Sequence, residues 1–255
     1  LDVRYYAQFQ GKDKAAVNRV NVIARILVLV FLCSRSSSSA TAAEPVPARI
    51  KASLSSVPLD RFESDIRAFE EKDKKSPPPS GGTVFVGSST FTKWESLEKT
   101  FSDLKAINRG FGGSTLPDVN HYVARIVTKY SPKKVVLYAG TNDIAELKHT
   151  GAQVLADTEK FVDLVHKDCP AAEVYIVSPS IAPCRLKWST EYDTADKLIA
   201  KYVKTAPKTH FIDVVPVMRD SKGKLRTDLF GPDNLHMNEN GYAAWTPIIR
   251  KALVH

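Results

Sequence analysis

The sequence predicts an α/β fold, a parallel sheet covered by helices on both faces, and three observations carry that prediction. Five short apolar runs, Thr83 to Val86, Ala106 to Asn108, Val135 to Ala139, Val174 to Val177 and Phe211 to Val214, have the length and composition of strands buried on both sides. Between them, Leu116 to Tyr130, Val154 to His166 and Ala195 to Val203 repeat apolar residues at a spacing near 3.6, as amphipathic helices do. Helices between consecutive strands act as crossovers, and crossovers make strands parallel. Finally, glycines and polar residues cluster just after the runs, at the carboxyl ends of the strands, where sheets of this kind bind ligands. No internal repeat is visible.

From the N-terminus, Arg19 and Arg25 precede the apolar run Ile26 to Cys33, and small residues follow, including Ala40-Thr41-Ala42. This basic, apolar, small-residue order predicts a secretory leader over 1–43, cleaved near Ala42 or Ala43, which would place the protein outside the cytoplasm, secreted or periplasmic. Eight apolar residues are too few for a membrane helix, which takes about 20, so no stable span is expected once the signal is removed. A short linker, 44–58, leads to a domain over 59–255. That domain begins with helical spacing at 59–75 (Leu59, Phe62, Ile66, Phe69), ended by Lys75-Ser76-Pro77-Pro78-Pro79-Ser80-Gly81-Gly82.

The first strand runs into Gly87-Ser88-Ser89. A serine at a strand-to-helix turn is either an N-cap or an exposed nucleophile. Gly82-x4-Gly87-Ser88-Ser89 has the glycine spacing of a phosphate loop but lacks its lysine. The second strand runs into Gly110-Phe111-Gly112-Gly113, which is not a dinucleotide fingerprint because Thr115 stands at the last required glycine. The third meets Gly140-Thr141-Asn142-Asp143, and the fourth Ser178-Pro179-Ser180. Gly113 is either a tight turn or a backbone donor; Asn142 is either a helix cap or a side-chain donor. After the fifth strand, Asp233-Asn234-Leu235-His236 sets a carboxylate three residues from an imidazole, and a last helix follows with Pro247 inside its pattern (Tyr242, Trp245, Ile248, Ile249).

Composition excludes several classes. The chain carries a net charge of +8, but the leader holds six basic and two acidic residues, and without it the balance is +4. No Lys/Arg stripe with interleaved aromatics points to nucleic acid. Cys169 and Cys184 flank the run Glu173 to Pro179, whose seven residues separate its ends by roughly 20 Å, far beyond the reach of a disulfide. No His/Cys/Asp/Glu group has metal-ligand spacing, so neither a metal nor a cofactor is expected.

The order Gly-Ser-Ser, Gly-Phe-Gly-Gly, Gly-Thr-Asn-Asp and Asp-x-x-His, with the wider strings Thr83 to Thr90 and Asn108 to Gly113, resembles the SGNH superfamily, the GDSL-type lipases and acylhydrolases, over about residues 60 to 253. The resemblance implies a three-layer α/β/α sandwich on a flavodoxin-like five-stranded parallel sheet. It implies Ser89 as nucleophile, His236 as general base and then acid, and Asp233 orienting the imidazole. The oxyanion hole would be the Ser89 and Gly113 backbone N–H groups and Asn142. Ser88 replaces the family's usual Asp and is the fallback nucleophile; Pro247 is a kink that could shift the His236 loop. The expected reaction is hydrolysis of a small O-acyl ester, acetylated carbohydrate being the favoured substrate, with Arg185 and Trp188 as candidate substrate contacts. Two rivals are a lipase or phospholipase on the same triad and a cell-surface carbohydrate-binding protein without turnover.

Overall fold

The computed structural model describes residue 58 and residues 60–254; the predicted leader, nearly all of the 44–58 linker and Leu59 lie outside the described residues. Strands β1 (Thr83–Gly87), β2 (Ala106–Gly110), β3 (Lys134–Tyr138), β4 (Glu173–Val177) and β5 (Thr209–Ile212) form one sheet in the order β2-β1-β3-β4-β5. Every pairing is parallel, with Val84 beside Ile107 on one side and Val135 on the other. Helix α1 (Glu63–Lys75) precedes β1, the short α2 (Ser89–Thr92) and α3 (Leu97–Thr100) join β1 to β2, and α4 (Leu116–Ile126) joins β2 to β3. Next come α5 (Thr141–Ala145) and α6 (Gly151–Asp168) before β4, α7 (Ser189–Tyr202) before β5, and α8 (Glu239–Val254) at the end.

The chain steps from β1 outward to β2 and then reverses through β3, β4 and β5. Right-handed crossovers therefore put the β1–β2 connection on one face and the later ones on the other. The packing follows: α4, α6 and α7 lie side by side with α1 against α4, while Trp94, from the β1–β2 connection, stacks on Tyr242 of α8 at 4.9 Å. This is the α/β/α sandwich that the periodicity predicts. The reversal between β1 and β3 is the switch point at which such sheets open a crevice at their carboxyl ends. Among the described residues no helix is long and apolar enough to cross a membrane.

Several boundaries differ from expectation, and those of the fifth strand, α4 and α7 have a local reason. The fifth strand is expected at Phe211 to Val214 but occupies Thr209–Ile212. The chain leaves the sheet at Asp213 because the Val214 N–H donates to Ser178 Oγ (3.0 Å) instead of to a strand. Helix α4 stops at Ile126, and a 3-10 turn, Thr128–Tyr130, completes the predicted segment; three β-branched residues, Ile126, Val127 and Thr128, crowd the backbone there. The α7 helix begins at Ser189, six residues before Ala195, and its first-turn Glu191 accepts the Gly151 N–H (2.7 Å) at the start of α6. Finally α8 continues through Pro247. Pro247 and Ala243, the residue whose carbonyl loses its helical partner, are both exposed, so the freed oxygen is open to solvent while Trp245, Ile249 and Leu253 stay buried.

Buried polar groups join the layers. Arg109 on β2, 2% exposed, donates to Tyr130 Oη (2.8 Å) and to Asp73 of α1 (2.5 Å). Cys169 and Cys184 are free thiols, and Cys169 Sγ donates to the Thr128 carbonyl at 3.6 Å. At the end of β1, Gly87 has φ +145°, and a Cβ there would stand 1.9 Å from the Tyr138 carbonyl oxygen of β3. The glycine is required both by conformation and by the close passage of β3. Gly87→Ala should therefore cost about 3 kcal/mol in urea unfolding, combining backbone strain with overpacking. A loss below about 1 kcal/mol would show that the strand end can shift at little cost.

Candidate active site

The loop after β5 explains why an offset of three residues works. Asp233 Oδ1 accepts the main-chain N–H groups of Leu235 and His236, both at 3.0 Å, and Oδ2 faces His236 Nδ1 at 2.6 Å. Asn234 takes a left-handed φ of +54°, and the Gly231 N–H donates to the His236 carbonyl (2.8 Å), closing the turn. The imidazole beside the carboxylate, and then the two backbone donors, hold Asp233 well below the usual carboxylate range. An ionised carboxylate only accepts, so the proton sits on Nδ1 and Nε2 is left with a lone pair.

That lone pair meets Ser89. Ser89 Oγ lies 3.0 Å from His236 Nε2, 147 residues away in sequence. Ser89 opens α2, but its hydroxyl does not cap the helix. The N-cap position belongs to Ser88, which makes no side-chain capping bond and is 2% exposed. Ser88 is fixed through its backbone, with its N–H donating to Tyr138 O (3.1 Å) and its carbonyl accepting from Phe91 and Thr92. Among the described residues, the serine facing the imidazole is Ser89, and Pro247 does not draw the His236 loop away from it.

Of the two expected oxyanion donors, Asn142 lines one cleft with Ser89 and His236, while Gly113 lies in a turn tied to the end of β1. The Phe111 N–H and Ser114 Oγ both donate to the Gly87 carbonyl (2.9 and 3.2 Å), which ties the Gly112–Gly113 turn to the strand end before Ser88. Gly113 has φ +80° and is exposed, and a Cβ would meet no atom within 4 Å. Asn142 enters α5 after the left-handed Gly140 and does not cap that helix. Its Nδ2 donates to Ser114 O (2.9 Å), and its Oδ1 accepts from Arg185 Nη2 (2.9 Å). Arg185 thus fixes which way the amide faces, with one Nδ2 hydrogen not used by Ser114.

Arg185 lines the same cleft as Ser89, Asn142 and His236, and its segment is joined to the His236 loop by the Cys184 N–H bond to Asn234 O (3.1 Å). Trp188 does not line it; Lys148 Nζ and Lys187 Nζ lie 4.6 and 5.2 Å from its ring centroid. The cleft is narrow. Its free volume is about 20 Å3, little above what one water needs, and Tyr138, Ser180, Ala182, Leu235 and Met237 close its walls. A larger open groove of about 930 Å3 runs along Trp94, Tyr242 and Arg250 and includes neither Ser89 nor His236.

One group escaped the sequence reading, which found no metal-ligand spacing. Asp143, His149 and Asp157 bring one carboxylate, imidazole or carboxylate atom each within 4.8 Å of one another. Their separations of six and eight residues span α5, the turn after it and α6, so no local motif marks them.

Residues 81–244 match the GDSL-like lipase/acylhydrolase family. No curated protein matches the chain. Solved structures share the fold, and three of them illustrate the range. A Streptococcus pneumonia chain provisionally named a platelet activating factor is 18% identical, with TM-score 0.67, covering 76% of this chain and 94% of its own. A GDSL-like lipase from Bacteroides thetaiotaomicron is 22% identical, with TM-score 0.62, covering 74% and 97%. A family 3 carbohydrate esterase from Talaromyces cellulolyticus is 14% identical, with TM-score 0.57, covering 68% and 96%.

Proposed function

The chain belongs to the GDSL-like lipase/acylhydrolase family, and from that premise we propose that it is a serine ester hydrolase acting on small O-acyl esters through Ser89, His236 and Asp233. Family membership by itself supports hydrolysis of esters. The observation that carries the finer reading is the unbroken relay from Asp233 Oδ2 to His236 (2.6 Å) and from His236 Nε2 to Ser89 Oγ (3.0 Å).

In this mechanism Ser89 Oγ attacks the acyl carbon while its proton passes to His236 Nε2. The carbonyl π bond opens to an oxyanion, held by the backbone N–H groups of Ser89 and Gly113 and by Asn142 Nδ2, groups oriented before charge develops. Collapse expels the alcohol, which takes the proton from His236 Nε2. Water then repeats the sequence on the acyl-serine, with His236 first base and then acid, and releases the carboxylic acid. Asp233 stays ionised throughout and stabilises the imidazolium.

The narrow cleft favours acetyl over a long acyl chain. The resemblance in fold to a carbohydrate esterase supports an acetylated sugar, and the Arg185 guanidinium at the cleft wall suits a sugar or a head group. The basic, apolar and small-residue order of 19–43 supports export from the cytoplasm, to a secreted or periplasmic enzyme. With p-nitrophenyl esters, kcat/KM should be at least about tenfold higher for acetate than for octanoate, because seating a long chain in the narrow cleft would force its walls apart at a cost of about 1–3 kcal/mol, and about 1.4 kcal/mol is tenfold. A preference for octanoate would turn the reading to a lipase. Background-level hydrolysis of both would leave a binding protein on this fold.

A further inference from the structure

The junction of α5 and α6 holds polar atoms with no partner inside the protein. Asp143 is fully buried, and its Oδ1 accepts the Leu116 N–H at the start of α4 (2.9 Å), but Oδ2 has no hydrogen bond. His149 Nδ1 is likewise buried and unpartnered; the nearest carboxylate oxygen, Asp157 Oδ2, is 3.8 Å away, too far for a hydrogen bond. Asn120, 5% exposed, donates from Nδ2 to the Asp157 carbonyl (2.9 Å), while its Oδ1 has no partner. Three buried polar atoms left unsatisfied around one helix junction cost about 1–3 kcal/mol each unless something bonds to them.

We propose that Asp143 Oδ2, His149 Nδ1 and Asp157 Oδ2 bind a divalent first-row cation of the Zn2+ or Mn2+ class, which locks α5 to α6. One imidazole with two carboxylates is a donor set for such an ion, since the nitrogen favours transition metals and the oxygens harder divalent ions. Around tetrahedral zinc, with bonds of about 2.0–2.2 Å, ligand atoms sit roughly 3.3–3.6 Å apart. The His149–Asp157 pair at 3.8 Å needs to close by only a few tenths, and the whole set already lies within 4.8 Å. Asn120 beside Asp157 offers a further oxygen. The loop is shaped for the purpose: the His149 N–H donates to the Asp143 carbonyl (3.0 Å), and Lys148 adopts a left-handed φ of +60°, which turns His149 back toward α5.

The ion would be structural. Asp143 directly follows Asn142, so the site fixes the helix that carries an oxyanion donor without touching substrate. The inference stands apart from the ester-hydrolase reading and its test does not use turnover. The full chain is stripped with chelator, dialysed against Zn2+ or Mn2+, and assayed for bound metal and for Tm. We expect one equivalent retained, a rise in Tm with metal, and binding weakened at least tenfold in both His149→Ala and Asp157→Asn, variants at half-buried positions whose far-UV circular dichroism should match the parent. Failure to retain either metal would overturn the proposal, as would retention unchanged in both variants, or equal retention of Mg2+, which would show that the imidazole is not a ligand.

Discussion

Ser89→Ala should reduce kcat for p-nitrophenyl acetate by about 10^5 to 10^6-fold, the scale on which a serine hydrolase falls when its nucleophile is removed. The size of the loss comes from the covalent step. Without Oγ there is no acyl-serine, and a water beside His236 lacks the fixed, covalently tethered approach that Ser89 Oγ has. Folding should be unaffected, because the Ser89 hydroxyl bonds to His236 and its main-chain oxygen still accepts from Lys93 (2.8 Å). Tm should therefore match the parent. Ser88→Ala is the contrasting variant: Ser88 is held by its backbone and does not line the cleft, so kcat should stay within about tenfold of the parent. A fluorophosphonate should label Ser89, and peptide mass spectrometry locates the adduct. If Ser89→Ala keeps more than about a hundredth of the parental kcat, or the adduct maps to Ser88, the assignment of the nucleophile is wrong.

Much of this site could be read from the chain because its parts are local and the topology sorts them. Asp233 reaches His236 across a turn that the carboxylate itself builds, so three residues of sequence contain the geometry. The strands were legible as apolar runs, and the rule that ligands gather at their carboxyl ends placed Ser89, Gly113, Asn142 and His236 on one edge. What escaped is long-range pairing. No local signal says that Ser178 Oγ will take the Val214 N–H and shorten the fifth strand, or that Glu191 will accept from Gly151 and extend α7 backward. Asn142 read equally well as a helix cap until Arg185, 43 residues on, took its carbonyl. The Asp143, His149 and Asp157 group depends on a left-handed residue in the connecting turn, a conformation that Lys148 does not advertise.

Asp233→Asn should lower kcat by about 10^4-fold, less than loss of the nucleophile, through a change of tautomer. The asparagine carbonyl can keep accepting the Leu235 and His236 N–H groups, since Oδ1 holds both at 3.0 Å. The loop is therefore expected to keep its shape and Tm to change little. The replaced atom is Oδ2, 2.6 Å from His236 Nδ1. An amide NH2 there donates, so Nδ1 becomes the acceptor and the ring proton moves to Nε2. Nε2–H then points at Ser89 Oγ and cannot take its proton, and the positive charge that develops on the ring also loses its counter-ion. Asp233 is half-exposed, which makes this a sharp test: if water alone could orient the imidazole, the substitution would cost less than about tenfold. Combining it with Ser89→Ala should add almost nothing to the loss from Ser89→Ala alone, because the pair acts on a proton that the single variant has already removed. Additive losses in the double variant would mean that Asp233 and Ser89 serve different steps, and the relay from carboxylate to hydroxyl would no longer account for the chemistry.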